Sequence, residues 1–331
     1  MNGIEETLNI PAEERVYESP FAKKISKRTR IKESLIKYFF ALNGLTAVVF
    51  IILIFVFLFK EGIRAFEHIN ISDFIYKTTV QPDGSVKKIF EWYPTSDSPR
   101  YSLVPLILGT LITAIPATII STILGVAAGI FLSEIAKGRA KEILKPAIEL
   151  FAGIPTVVLG FFMLVVGATF FNDLFHPANR LNALLASAGL SLVIIPVIAS
   201  MTEDALRSIP NELRMASFGL GATKWQTIRR VILPAAISGV SASIILGFGR
   251  AIGETMIVLM ASGNAANFLF DIFRSVRTMT ATIAAEMGEV PHQSDHYFAL
   301  FFIGIILFTI TFILNLVAEI IINRMRKKIK F

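Results

Sequence analysis

Long apolar runs separated by polar stretches constrain this chain more than any other feature of its sequence. Hydrophobic residues make up 54% of its 331 residues and charged residues only 17%, a balance too apolar for an ordinary soluble domain. A helix that crosses a bilayer needs about 20 mainly apolar residues. The sequence therefore predicts an all-α integral membrane protein whose six transmembrane helices correspond to the runs Tyr38–Phe59, Tyr101–Ser133, Leu150–Asn172, Leu181–Thr202, Val231–Gly249 and Tyr297–Ala318.

The distribution of Lys and Arg predicts the orientation of these helices, because basic residues concentrate in cytoplasmic loops. If the N-terminus lies inside, 22 of the 32 basic residues fall on the cytoplasmic side and 9 on the outer side. Both termini are therefore predicted to be cytoplasmic. The net charge of +7 is attributed to this asymmetry and to contact with anionic lipid headgroups, not to nucleic-acid binding.

The same runs divide the chain into five predicted segments. These are a cytoplasmic N-terminal tail, a first transmembrane helix, an external loop, a transmembrane domain and a basic cytoplasmic tail, at residues 1–37, 38–59, 60–100, 101–322 and 323–331. In the external loop, Tyr76–Val80 and Val86–Trp92 flank a turn-forming stretch and favour a small hairpin. This loop could contact an external partner or cover the helix ends, and the sequence favours neither.

A polar loop between the fourth and fifth spans, residues 203–233, predicts two short helices that meet at a glycine corner. Pro210 is suited to the first turn of one helix, and Gly221 to its end. Thr223 with Gln226 three residues later forms a capping-box pattern that starts the second helix.

Apolar side chains on the first of these helices need cover from water. Met215 and Phe218 would present such surface on a loop outside the membrane. Cover by another protein explains them, and so does an amphipathic helix that lies on the lipid.

This loop resembles the EAA loop of the membrane subunits of bacterial ABC importers. The EAA loop reads E-A-A, three residues, G, nine residues, I, one residue, L-P. In this sequence Met215 replaces the glutamate, Ser217 replaces an alanine and Val231 replaces the isoleucine. The resemblance implies that a groove of a cytoplasmic ATPase holds the loop and moves it through Met215, Ala216, Ser217, Gly221, Leu233 and Pro234. The sequence contains no G-x-x-x-x-G-K-[ST] phosphate loop, so ATP hydrolysis is expected in a separate subunit.

Further runs narrow the resemblance to the PstC-type permeases of bacterial phosphate-specific ABC importers. These runs are residues 150–160, 249–264 and 277–289, followed by His296–Leu300. The resemblance implies a MetI-like permease core in a prokaryotic cell membrane, with no cofactor of its own. It also implies a homologous PstA-type permease, two copies of a PstB-type ATP-binding subunit and an external PstS-type phosphate-binding protein as partners.

Two charged residues, Arg250 and Glu254, interrupt the fifth span, where a charge costs about 2.5–3.5 kcal/mol on insertion scales. Four residues apart on one helix they would share a face, so a structural ion pair and a translocation pathway both explain them. Arginine offers a planar fork of donors that suits phosphate oxygens. A glutamate carboxylate can accept a hydrogen bond from the P–OH group of hydrogenphosphate. Fully ionised sulfate has no proton to donate. The predicted pathway residues are Arg250, Glu254 and the adjacent Thr255.

Three alternatives stay open beside a phosphate permease. The cargo could be another oxyanion, such as molybdate or sulfate. A secondary transporter could use Arg250 and Glu254 as a proton relay, although the loop pattern argues against it. The chain could also serve as a membrane-anchored signalling or scaffold protein.

The remaining polar and proline positions receive structural interpretations. His292 and His296 have the spacing of metal ligands on a helix but no suitably spaced carboxylate, so they are interpreted as surface histidines and no metal site is predicted. Pro155 and Pro196 are expected to kink the third and fourth spans. Glu203 is placed with Glu149 and Asp204 at water-accessible span ends and is assigned no chemistry.

Overall fold

A computed structural model describes residues 27–80, 86–266 and 270–329. The first 26 residues of the predicted N-terminal tail, the hairpin turn 81–85 and the last two residues of the basic tail lie outside the described residues. The chain divides into two units, Met1–Phe57 and Leu58–Phe331.

The described residues of the first unit are all helical. They belong to α1 (Lys27–Ile63), which extends beyond the predicted run at both ends, and most of its side chains before Phe57 are exposed.

The second unit is mainly helical. Its helices are α2 (Ala65–His68), α3 (Val104–Ile130), α4 (Arg139–Ala152), α5 (Thr156–Phe162), α6 (Ala168–Phe175), α7 (Ala183–Arg207), α8 (Asn211–Gly219), α9 (Lys224–Thr227), α10 (Leu233–Ala235), α11 (Ile237–Gly253), α12 (Met256–Ala261), α13 (Met279–Glu286) and α14 (Asp295–Ile329). One 3-10 turn and three π-helical turns are at Ile71–Phe74, Phe131–Ile135, Met163–Gly167 and Ile228–Ile232. In the described part of the chain five helices are long and apolar enough to cross a membrane, and a sixth span is formed if a bent helix pair counts as one.

The third span starts later than its apolar run predicts. Leu150 belongs to α4, and the chain breaks between Ala152 and Thr156 before the span begins. Pro155 occupies the cap position at the start of α5, so the prediction that it kinks the span from inside is wrong. A proline restricts the residue before it to extended conformations, which favours a break here. Pro196 lies inside α7, as predicted.

The fifth span is bent and then interrupted. Residues 224–235 and α11 meet at an angle of 70°. Beyond α11, Glu254 has ψ 134° and is extended, and α12 resumes at Met256. The continuous helix predicted through the two charged residues is therefore wrong.

Glycines bring α3 and α7 into close contact. A Cβ atom at Gly125 would lie 2.8 Å from Ile198 Cβ, and one at Gly129 would lie 2.6 Å from Thr202 Cβ and 2.8 Å from Ala199 O. Because any side chain at these positions would displace the neighbouring helix, the two glycines fix the separation of α3 and α7.

The predicted hairpin strands are present in the loop between α1 and α3. Strands β1 (Lys77–Val80) and β2 (Val86–Ile89) pair antiparallel with Val80 opposite Val86, and β3 (Trp92–Tyr93) pairs with β4 (Arg100–Tyr101). Phe74, Trp92 and Tyr101 of this region are buried and pack in one cluster with Phe298 at the start of α14. The loop therefore forms an ordered cover over helix ends.

Candidate functional site

Arg250 lies near the end of α11, and its side chain is exposed. Among the described residues, no carboxylate pairs with its guanidinium and no acceptor takes a hydrogen bond from it. An unpaired charge in an apolar span is costly unless it meets water, a ligand or a partner's charge. The five donors of this guanidinium therefore remain available to an anion.

Glu254 does not pair with Arg250, so the structure does not support the alternative of a structural ion pair. The helix ends at Gly253, which removes the spacing that would have placed both side chains on one face. Instead, Glu254 Oε1 accepts hydrogen bonds from the backbone N–H groups of Thr255 and Met256, each at 3.2 Å. The carboxylate thus caps the otherwise unsatisfied start of α12, where a negative charge is favoured.

The interruption between α11 and α12 leaves polar backbone inside an apolar region. Thr280, which sequence reasoning missed, donates its hydroxyl to Glu254 O at 2.9 Å, and Thr255 Oγ1 is 3.5 Å from Gly253 O. A Cβ atom added at Gly253 would meet nothing within 4 Å. Non-helical backbone at membrane depth is tolerated where it is buried in protein or lines a water-filled cavity.

The polar loop between the fourth and fifth spans has the predicted pair of helices. Helix α8 ends at Gly219, and Gly221 follows with φ +82°, a conformation that favours glycine. Thr223 and Gln226 form both hydrogen bonds of a capping box at the start of α9. The local sequence thus determines the corner.

The six predicted coupling residues do not all lie together. Ala216, Ser217 and Gly221 line one cleft of about 510 Å³ between α8 and α9. Met215 is 68% exposed on α8 and does not line this cleft. Leu233 and Pro234 lie in α10, at the start of the bent span.

The helix corner is fixed from inside by a buried pair of hydroxyl groups. Ser217 Oγ and Thr227 Oγ1 are 2.9 Å apart and join α8 to α9. Leu220 is 90% exposed, and Trp225 and Phe218 are exposed as well. The corner is therefore rigid and presents apolar side chains outward, which suits a surface that another protein covers.

Glu203 is fully buried, so its predicted placement in water is wrong. Its carboxylate lies 3.2 Å from Lys141 Nζ, 2.7 Å from Lys145 Nζ and 3.4 Å from Arg207 Nη1. Two of these cations belong to α4, so the cluster attaches α4 to α7. The hydrogen bond to Glu203 is the main cause that raises the pKa of Lys145 above its ordinary value.

His296 is not a surface histidine, contrary to the prediction, whereas His292 is exposed. His296 Nε2 lies 2.8 Å from Glu286 Oε2, which also accepts a hydrogen bond from Trp92 Nε1, and Arg277 pairs with Glu286 Oε1. Burial acts to raise the pKa of Glu286, but these hydrogen bonds and the charge of Arg277 outweigh burial and hold the pKa below its ordinary value.

The Glu286 cluster joins β3, α13 and α14 beside a pocket of about 330 Å³. No group of three or more metal-ligating side chains occurs in the described ranges of the chain. The hydrogen bonds of Glu286 to Trp92 and His296 hold these three elements together.

The sequence and fold resemble known transport proteins. A family model described as the binding-protein-dependent transport system inner membrane component matches residues 125–327. The probable ABC transporter permease protein YqgH of Bacillus subtilis is 34% identical over 81% of this chain and 84% of its own length. The phosphate transport system permease protein PstC of Mesorhizobium japonicum is 33% identical over 70% of this chain and 76% of its own length.

Solved structures show the same fold. A bacterial ABC transporter involved in alginate import matches with a TM-score of 0.59 at 13% identity, covering 89% of this chain and 99% of the matched chain. The inward-facing MetNI methionine ABC transporter matches with a TM-score of 0.55 at 20% identity, covering 67% and 95%. The fold is that of the MetI-like permeases. The chain belongs to the family of inner membrane components of binding-protein-dependent transport systems and is a multi-pass permease subunit of an ABC importer.

Proposed function

We propose that this permease imports phosphate and forms half of the translocation pathway, with Arg250 as the residue that meets the anion. The guanidinium of Arg250 carries this proposal, because it is exposed and has no partner among the described residues, and an anion that meets it would stabilise a cation in an apolar span. Its planar fork of donors fits the oxygens of a tetrahedral oxyanion. The likeness to phosphate transport system permeases supports phosphate as that anion.

Glu254 and Thr255 complete the proposed pathway. Glu254 Oε1 is engaged by two backbone N–H groups, whereas Oε2 accepts no hydrogen bond from the described residues. Glu254 Oε2 accepts a hydrogen bond from the P–OH group of hydrogenphosphate. Sulfate has no such proton and is repelled by the carboxylate, so Glu254 discriminates between the two anions. Thr255 follows Glu254 directly at the break before α12, which supports its inclusion in the proposed pathway.

The proposed partners act on opposite faces of the membrane. A PstB-type ATPase, present in two copies, hydrolyses ATP and moves the loop 203–233 at Met215, Ala216, Ser217, Gly221, Leu233 and Pro234. A PstA-type permease supplies the other half of the pathway, and a PstS-type binding protein delivers phosphate from outside. The exposed apolar side chains of α8 and the cleft beside it support this docking. In this arrangement both termini are cytoplasmic.

The test is ATP-dependent uptake of radiolabelled phosphate by vesicles that contain this chain with its partner subunits. Arg250→Ala should abolish uptake, whereas Arg180→Ala, which removes an exposed arginine hydrogen bonded to Thr169, should leave it close to wild type. Glu254→Gln should lower the discrimination against sulfate. If Glu254→Gln leaves phosphate uptake intact and does not increase sulfate passage, the role of Glu254 is refuted.

The same vesicles distinguish the other candidate functions. Competition of phosphate uptake by excess unlabelled sulfate or molybdate would indicate a different oxyanion as cargo. Uptake that persists without ATP and stops when the proton gradient is collapsed would indicate a proton-coupled secondary transporter. The first result refutes specificity for phosphate, and the second refutes ATP as the driving force.

A further inference from the structure

Arg214 connects α8 to the ends of two membrane helices. Its Nη2 donates to Glu134 Oε1 and to Leu206 O, both at 2.8 Å, and its Nη1 donates to Ile209 O. Glu134 lies in the π-helical turn that continues α3, and Leu206 lies in the last turn of α7. One guanidinium therefore joins α3, α7 and the helix that bears the proposed ATPase contacts.

The contact between Arg214 and Glu134 is largely shielded from water. The side chains are 16% and 10% exposed, and Ser133 donates a second hydrogen bond to Glu134 Oε1. Charge-assisted hydrogen bonds of this kind are shorter and stronger than neutral ones. The guanidinium also caps the carbonyl end of α7, where a positive charge is favoured. The contact can therefore transmit a displacement between helices.

The two membrane helices at this contact pack closely against each other. Gly125 and Gly129 of α3 lie so close to Ile198 and Thr202 of α7 that neither can carry a side chain without separating the helices. A force applied to Glu134 is thus applied to both helices.

A second connection leads from α8 to the span that carries Arg250. Ser217 of α8 is hydrogen bonded to Thr227 of α9, from which the chain continues through a π-helical turn into α10 and α11. Movement of α8 therefore has two routes into the membrane, one through Arg214 to α3 and α7 and one through Ser217 to the fifth span.

We infer that Arg214 and Glu134 are positioning residues that couple movement of α8 to α3 and α7. This inference rests on the proposed role of α8 as the contact with the ATPase. Without the contact, α8 still binds the ATPase but moves only the fifth span. ATP is then hydrolysed without the matching movement of the rest of the permease.

The experiment uses the complete transporter in vesicles, with Glu134→Gln, Arg214→Ala and a reversed pair, Glu134→Arg with Arg214→Glu. Lys137→Ala is the matched control, because Lys137 is an exposed cation three residues from Glu134 without an ion pair among the described residues. The measurements are basal ATP hydrolysis, its stimulation by the loaded binding protein, phosphate uptake and the amount of assembled complex.

Each single variant should assemble normally and keep its basal ATP hydrolysis. Phosphate uptake per ATP, and the stimulation of hydrolysis by the loaded binding protein, should each fall by about five-fold or more. The reversed pair should recover part of the stimulation, and Lys137→Ala should match wild type. Single variants with wild-type stimulation would overturn the inference, and so would a parallel fall in assembly and basal hydrolysis, which indicates a purely structural contact. Wild-type vesicles that show stimulation but no phosphate uptake would refute the proposed cargo and leave this test valid.

Discussion

Two neighbouring carboxylates, Glu203 and Asp204, should differ sharply in what they contribute to stability. Glu203 is 0% exposed and meets Lys141, Lys145 and Arg207 within 3.4 Å. The side chain of Asp204 is 67% exposed and lies 3.7 Å from Lys145. Glu203→Gln and Asp204→Asn are thus equivalent chemical changes at adjacent positions in different surroundings.

The expected magnitude follows from the cations that Glu203→Gln leaves without a carboxylate. Removing one partner of a buried ion pair costs about 3–5 kcal/mol. Lys141 and Lys145 are 27% and 29% exposed, so water compensates part of this loss, and the expected cost is about 2 kcal/mol. For Asp204→Asn the expected cost is below about 0.5 kcal/mol, because exposed pairs contribute little.

Thermal unfolding of the purified protein in detergent measures both variants. A cost of about 2 kcal/mol corresponds to a fall in Tm of roughly 3 °C for Glu203→Gln, with less than about 1 °C for Asp204→Asn, in a chain of 331 residues. Proteolysis near α4 should also become faster in Glu203→Gln, because that helix loses its attachment to α7. Equal Tm changes in the two variants would show that burial does not determine the strength of this cluster.

Three further outcomes can be checked. The pKa of Glu286 is lower in the folded protein than its ordinary value of 4.5. Ionised Glu286 therefore stabilises the folded protein fully above pH 4.5, and this contribution is lost as the pH falls through the folded-state pKa. Glu286→Gln should flatten the dependence of Tm on pH below about pH 5. Gly129→Ala should destabilise the protein by about 1–3 kcal/mol in the same assay, whereas Gly44→Ala, where an added Cβ meets nothing within 4 Å, should not. Thr223→Ala removes a helix cap worth about 1 kcal/mol and should speed hydrogen exchange at the Gln226 amide about five-fold.

Local patterns predicted those features of the fold that depend on neighbouring residues. The apolar runs placed the spans because a bilayer requires about 20 apolar residues of any sequence. The capping box at Thr223 and the left-handed Gly221 were predictable because their hydrogen bonds and backbone angles involve residues at most three positions apart. The hairpin strands were predictable because each residue pairs with one only 6 to 12 positions away in the sequence.

Features that depend on distant contacts were not predictable. The burial of Glu203 depends on Lys141 and Lys145, which lie about 60 residues earlier and reach it only because α4 packs beside α7. The break after Gly253 depends on α12 being capped by Glu254, and hydrophobicity does not distinguish a continuous span from an interrupted one. The four-residue spacing of a continuous helix therefore suggested that Arg250 and Glu254 share one face, whereas Glu254 instead contacts the backbone at the start of α12.

Three largely buried carboxylates of this permease are paired with cations of the same chain, whereas the cation in the fifth span has no such partner among the described residues. Glu134, Glu203 and Glu286 each meet a cation of the same chain, and each of these pairs joins two elements of the fold. Arg250 lies in an apolar span without such a partner among the described residues. The proposed function assigns this cation a counter-charge from outside the chain. A passing anion would supply that charge transiently, and a carboxylate of the second permease would supply it permanently. Arg250→Ala distinguishes these two sources. If an anion supplies the charge, the variant loses uptake in an intact complex, and if the second permease supplies it, the complex itself is lost.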